Sequence, residues 1–196
     1  MNCFEIVKCF LLVSLVKCDL SLVAVKSWKQ LDYHFPNLQL REFAIKHGLF
    51  IQENAIPIEA VPDCLSSGKK RIFISMPRFV PGVPVTLGTI TPENKDYIKP
   101  YPDYSWHSSH GLNCDAMTSV FRVFIDECQR MWVIDTGKIE SSQLCPPQIL
   151  IFDLKTDSLI TRYKIPSENY IEDSLLISQV RKNFKVINYY ITILQS

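Results

Sequence analysis

Glycine is scarce in this 196-residue chain, with six residues against twelve prolines. That balance argues for a loop-rich, strand-rich polypeptide. No run reaches the roughly 18 uninterrupted apolar residues that a membrane-spanning helix needs. Neither sign of charge dominates: 21 basic against 20 acidic residues leave +1. This gives no electrostatic case for nucleic acid, which would need a basic patch or stripe, and excludes a polyelectrolyte tail. There is no C-x-x-C and no histidine pair at zinc-finger spacing. The hydrophobic fraction of 47% with 21% charged residues marks a globular rather than a disordered chain. The length accommodates one domain or a small two-domain protein.

The N-terminus reads as a targeting segment. Lys8 precedes the apolar run Cys9–Val16, small or neutral residues follow, and cleavage is expected near residues 18–24, after Cys18 or Ala24. Residues 1–24 are therefore read as a signal peptide and the protein as secreted. The alternative is a buried N-terminal strand or helix, since Glu5, Lys17 and Asp19 interrupt the pattern. Cleavage removes Cys3, Cys9 and Cys18 and leaves Cys64, Cys114, Cys128 and Cys145. An even number in a secreted chain implies disulfides, and four cysteines allow three connectivities.

Residues 28–35 alternate well enough for a strand, which Pro36-Asn37 ends. Asn37 can cap a short helix over about Leu38 to His47, with Leu40, Phe43, Ala44 and His47 on one face. Gly48 closes it, and loop follows through Pro57 and Pro62 to Gly68. Ile72, Ile74 and Met76 share one face of a strand that Pro77 stops. A second strand lies near Val85–Ile90, and residues 91–117 read as one long surface loop. Four strands then follow in short order: Thr118–Asp126, Met131–Thr136, Gln148–Leu154 and Leu159–Ile165. The first three are apolar on nearly both faces. The last carries Arg162 and Lys164 and reads as an exposed outer strand. An antiparallel meander of about 45 residues, buried inside and polar outside, is the pattern of one β-propeller blade.

Four blocks carry a family resemblance. They are Arg41–Asn54 with Pro57; Arg71–Arg78 running into Gly82–Leu87; Ser119–Val123 through Asp126–Gly137; and Cys145–Leu154 ending in Arg162–Pro166. Together, over residues 28 to about 176, the chain resembles the insect yellow / major royal jelly protein family. The resemblance implies an all-β, secreted, six-bladed β-propeller. Residues 25–176 would form its first one to two blades, with a short N-terminal helix. It also implies roles in cuticle pigmentation through melanin precursors, dopachrome conversion in some members and binding of biogenic amines in others. Catecholamine or quinone small molecules are the partners expected, with no nucleic acid and no membrane after cleavage. Family members run to about twice this length. Residues 177–196 diverge from the family pattern, so a truncated isoform without full activity, self-associating through an open propeller edge, is the expectation. A dopachrome-converting enzyme is the alternative.

The candidate chemistry is thin, and no catalytic, cofactor-binding or metal residue is assigned. His107-x-x-His110 with Cys114 and Asp115 is the nearest approach to a metal cluster, but it falls in loop sequence and lacks a full ligand set. Asp126 and Asp135 flank a hairpin at opposite ends of their strands, too far apart for a carboxylate pair. Ser108-Ser109-His110 has no nucleophile-elbow context. Arg78, Trp132 and Asp135 read as a turn arginine, a buried aromatic and a strand-end acid. In the meander Cys114 precedes the first strand and Cys145 follows the second, which places both at one edge. Cys128 lies at the other edge, about 25 Å away by strand rise. A Cys114–Cys145 disulfide is expected, leaving the pairing of Cys64 and Cys128 open.

Overall fold

A computed structural model describes residues 27–63, 70–93, 97–171, 174–182 and 188–194. The expected signal peptide, with Cys3, Cys9 and Cys18, and the later Cys64 lie outside these. The first sheet contains β1 (Glu59–Pro62), β2 (Ile72–Ser75), β3 (Leu87–Ile90) and β4 (Lys99–Pro100), paired antiparallel in sequence order. The second contains β5 (Val120–Ile125), β6 (Arg130–Asp135), β9 (Gln148–Asp153) and β10 (Ser158–Lys164), again a meander. A two-residue hairpin, β7 (Lys138–Ile139) with β8 (Ser142–Gln143), interrupts the connection from β6 to β9. Two further strands, β11 (Leu175–Lys182) and β12 (Asn188–Leu194), pair only with each other among the described residues.

The layers follow from the period-2 alternation of strand side chains. On β2, Phe73 and Ile74 point to opposite faces. Ile74 joins Leu31, Tyr33, Phe35, Ala44 and Phe50 in a core between the first sheet and the N-terminal segment. Phe73 joins Leu87, Tyr101, Val133, Leu150 and Phe152 in a second core between the two sheets. On β6 the step repeats. Val133 faces the second core, and its neighbour Ile134 meets Ile165 and Leu176 in a third, beneath β11. β11 lies along β5 and β6. The expected outer strand is β10, where no residue is fully buried.

β5 stands at the edge of its sheet, and side chains in or beside the first sheet bond three of its backbone groups. Thr86 Oγ1 accepts from Val120 N (2.6 Å), Ser75 Oγ donates to Phe121 O (2.5 Å), and Glu59 Oε2 accepts from Val123 N (2.8 Å). The sheets are thus joined by hydrogen bonds along an otherwise open strand edge as well as by a shared core. Burial pushes the Glu59 carboxyl above its ordinary pKa, against the opposing pull of the Val123 amide.

Four local readings need correction. Residues 28–35 form no strand; Tyr33 alone makes a bridge to Ile98. That segment is held instead by side chains: Arg41 pairs bidentately with Asp32 (2.7 and 3.1 Å) and lies over the Phe35 and Phe50 rings. The helix α1 (Leu38–Lys46) starts where Asn37 accepts from Leu40 N, but it buries only Ala44. Leu40 and Phe43 are exposed, so its apolar spacing does not face a core. Residues 91–117 are not one surface loop: they contain β4, a single 3-10 turn at Tyr104–Trp106, and buried Ile98, Tyr101 and His107. β1 likewise forms in a stretch that Pro57 and Pro62 mark as loop, with Pro62 at the strand end, where a missing N–H is tolerated.

Candidate functional site

β2 carries an arginine just outside each end, and each reaches across to the second sheet. At one end Arg78 is fully buried and donates to five backbone carbonyls. Nε bonds Val83 O (2.9 Å), Nη1 bonds Thr118 O (2.8 Å) and Met117 O (3.4 Å), and Nη2 bonds His107 O (2.7 Å) and Pro84 O (3.0 Å). It is no turn arginine. Its fork collects chain segments that are far apart in sequence. Loss of water lowers its pKa to about 10, with Asp135 nearby opposing the drop, so it stays charged at neutral pH.

Asp135, at the end of β6, is equally enclosed. Its carboxylate accepts from Thr118 N (2.8 Å), Ser119 N (2.7 Å), Gly137 N (3.1 Å) and Gln148 Nε2 (3.0 Å). Burial raises its pKa, and the four donors oppose that rise. Gly137 has φ +70, and a Cβ there would collide with Cys145 O, so the turn after Asp135 requires glycine. Asp126 sits at the opposite end of the β5–β6 hairpin, bonded to Arg130 Nε (2.8 Å) and Trp132 Nε1 (3.0 Å). Burial would raise its pKa, but these donors outweigh it and hold the carboxyl below its ordinary value. Trp132 is half-buried rather than buried, its indole beneath Arg130 (5.7 Å).

His107 and His110 lie at the Arg78 end. His107 Nε2 is 2.9 Å from Tyr101 O, which fixes Nε2 as the protonated nitrogen and leaves buried Nδ1 bare. Burial first, then the Arg78 charge, lowers both histidines to a pKa of about 3. Ser108 and Ser109 are bonded to Ser105 O (3.3 Å) and Asn113 O (3.5 Å), respectively. Cys114 and Cys145 form a disulfide with Cα atoms 5.3 Å apart, fastening this loop to the β8–β9 connection. Cys128 is exposed and free at the far end. Asp115 lies between Arg162 and Lys164 (3.0 Å each); the Lys164 contact and then the Arg162 charge lower its pKa.

At the other end Arg71 binds Asp63 (2.9 Å), both oxygens of Asp157 (2.7 and 2.9 Å) and Leu154 O (3.1 Å). Tyr101 Oη donates to the same Asp157 (3.1 Å). Burial would lower the Arg71 pKa, but the two carboxylates outweigh it. Neither this network nor the β5-edge set was singled out from the sequence. The only signal was an arginine on each side of one short strand.

Chemically, the sequence-selected groups act on the chain itself: Arg78 and Asp135 gather backbone, and His107 Nε2 is spent on Tyr101. The fold and these locks define an all-β protein built on two consecutive four-stranded antiparallel sheets. A sequence model of the major royal jelly protein family matches residues 118–183. The chain is 33% identical over 168 residues to dopaminechrome tautomerase of Drosophila melanogaster, covering 82% of this chain and 35% of that protein. It is 36% identical over 149 residues to Protein yellow of Drosophila melanogaster (71% and 26%) and 35% identical over 150 residues to Protein yellow of Drosophila yakuba (72% and 26%). The chain belongs to the yellow / major royal jelly protein family, and it spans between a quarter and about a third of the length of these relatives.

Proposed function

We propose that this is a secreted protein of insect pigmentation, contributing the first two blades and the start of a third to a six-bladed propeller. It holds catecholamine- or quinone-type small molecules at the ring without converting them. The observation that carries the reading is the likeness to dopaminechrome tautomerase and Protein yellow across most of this chain. The Cys114–Cys145 disulfide supports an oxidising compartment. The non-enzymatic choice rests on the buried charges of the matched blocks, Arg78 and Asp135, which are committed to backbone partners. β12 leaves one side unpaired among the described residues, which supports self-association through that edge.

A second reading, conversion of dopachrome or a related aminochrome, is favoured by the name of the 33% identical relative. The purified chain is mixed with freshly prepared aminochrome and the loss of its visible absorbance is followed, with dopamine binding measured by calorimetry. Binding without faster aminochrome decay supports the first reading. Accelerated decay replaces it with the second, and absence of both overturns the small-molecule reading. N-terminal sequencing of secreted material tests the compartment: it should begin between Asp19 and Lys26.

A further inference from the structure

The chain around Tyr33 runs parallel to that around Ile98: His34 N donates to Ile98 O (2.9 Å) and Ile98 N to Asp32 O (2.8 Å). That pairing sets the His34 imidazole beside the Tyr97 ring, with centroids 5.6 Å apart and planes tilted by 32°. The first turn of α1 adds Leu38 and, one turn on, Arg41. These four residues, with Asp32 and Phe35 among the others, line one open cavity of about 360 Å³. That volume lies at the small end of ligand sites. Arg41 is held by both oxygens of Asp32 (2.7 and 3.1 Å) and lies over the Phe35 and Phe50 rings, which fixes both charges in place. The pair is only partly spent. Arg41 commits two of its five N–H groups to Asp32, and the side chains of Arg41 and Asp32 are 28% and 35% exposed. His34 and Tyr97 are exposed, and neither ring bonds its polar atoms to another described residue.

We infer that this cavity is a binding site for a free aromatic α-amino acid in its zwitterionic form. The ligand's ammonium meets Asp32, its carboxylate meets the remaining N–H groups of Arg41, and its ring lies against His34 and Tyr97. A ligand with a single charge satisfies one half of the fixed pair and meets the other half as a like charge. An amine or an acid alone therefore fits less well than a molecule carrying both charges. The two rings of the wall add a stacking surface that an aliphatic amino acid cannot use. The site is built from the N-terminal segment, α1 and the residue before Ile98, none of which the aminochrome reading uses, so it stands independently of that reading.

L-phenylalanine, phenethylamine, hydrocinnamate and L-alanine are titrated separately into the full, isotope-labelled chain and followed by NMR. L-phenylalanine should shift the amides of Asp32–Phe35, Arg41 and Tyr97. It should bind roughly tenfold more tightly than each of the other three, which lack the carboxylate, the ammonium and the ring in turn. Asp32→Asn keeps an oxygen for Tyr33 N and removes the partner of the ammonium, so it should erase the advantage over hydrocinnamate. Tyr97→Ala, at an exposed ring outside the three cores, should weaken L-phenylalanine several-fold and leave L-alanine unchanged. Thermal unfolding of each variant checks that the fold is intact; if Asp32→Asn does not fold, Tyr97→Ala and the four probes on the native chain decide the matter. Equal affinity for the four probes, shifts confined to other residues, no shift at all, or an unchanged preference in a folded variant would each overturn the assignment.

Discussion

Arg71 and Arg78 flank the same four-residue strand and both tie the first sheet to the second, but by different chemistry. Arg71 meets carboxylates, Asp63 and Asp157, and its pKa rises. Arg78 is bonded to neutral carbonyls alone, and its pKa falls to about 10. An ion pair is sensitive to salt and to its partner's protonation. A guanidinium surrounded by carbonyls has no bonded partner to titrate, but its removal leaves five acceptors in a dry place. Of the two ends, the Arg78 end should be the less forgiving of mutation and the Arg71 end the more responsive to solution conditions.

The largest effect should follow from Arg78→Met. The substitution keeps the bulk and strands five carbonyls of the β2–β3 and β4–β5 connections, each costing about 1–3 kcal/mol when buried without a donor. A total above about 4 kcal/mol would abolish folding at 25 °C or nearly so. Arg78→Lys retains the charge but not the fork and should lose about 2–3 kcal/mol. Urea titrations of both variants test this. A native-like midpoint for Arg78→Met would show that the carbonyls find water and that the comparison between the ends is false.

The disulfide at the same end comes next. Cys114 and Cys145 are separated by 31 residues, and closing a loop of that length in the unfolded chain corresponds to about 3–4 kcal/mol in the entropic account. Cys114→Ser with Cys145→Ser should lower the urea midpoint accordingly, with the slope unchanged or steeper. Cys128→Ser, at an exposed free thiol, is the control and should leave the midpoint where it was.

What the sequence made legible, and what it did not, divides along the same lines. Patterns confined to one element could be read directly. The strands of the second sheet follow from alternation, and Asp126 and Asp135 fall at opposite ends of their hairpin because strand rise separates them. The positions of Cys114 and Cys145 follow from the same up-down geometry. Groups defined by several elements could not be read in this way. Arg78 looks like a turn residue until Val83, Pro84, His107, Met117 and Thr118 are folded around it. The helix shows the opposite failure. Leu40, Phe43 and Ala44 recur at helical spacing, yet only Ala44 is buried, because nothing described covers the rest of that face.

Acid should act first at the Arg78 end. His107 and His110 have folded pKa values of about 3, against about 6.5 when unfolded. Between those values the unfolded chain binds more protons than the folded one, so stability falls as pH drops from about 6.5 toward 3 and levels off below. Over pH 7 to 5, where ordinary carboxyls remain ionised, the two sites together predict a loss of about 2–4 kcal/mol. Urea midpoints at pH 7, 6 and 5 measure the slope. His107→Gln with His110→Gln should flatten it, whatever the variant's absolute stability. A slope unchanged by the double substitution would place the acid sensitivity elsewhere.

The smallest effect separates the two arginines most directly. Asp157 has φ +59, a conformation that asparagine tolerates, so Asp157→Asn removes charge without a new backbone conflict. Arg71 keeps Asp63 and Leu154 O, and the Asp157 side chain is about one-third exposed (32%), so solvent screening limits the loss to about 1 kcal/mol at low salt. Raising sodium chloride from 50 mM to 1 M should shrink the gap between native chain and variant, because the Debye length falls from more than 10 Å to about 3 Å. The deficit of Arg78→Lys should change little over the same range, since the contacts it loses are to neutral carbonyls. If both deficits shrank together, the electrostatic environment at the two ends would be alike, and the distinction between a carboxylate-paired and a carbonyl-caged arginine would fail.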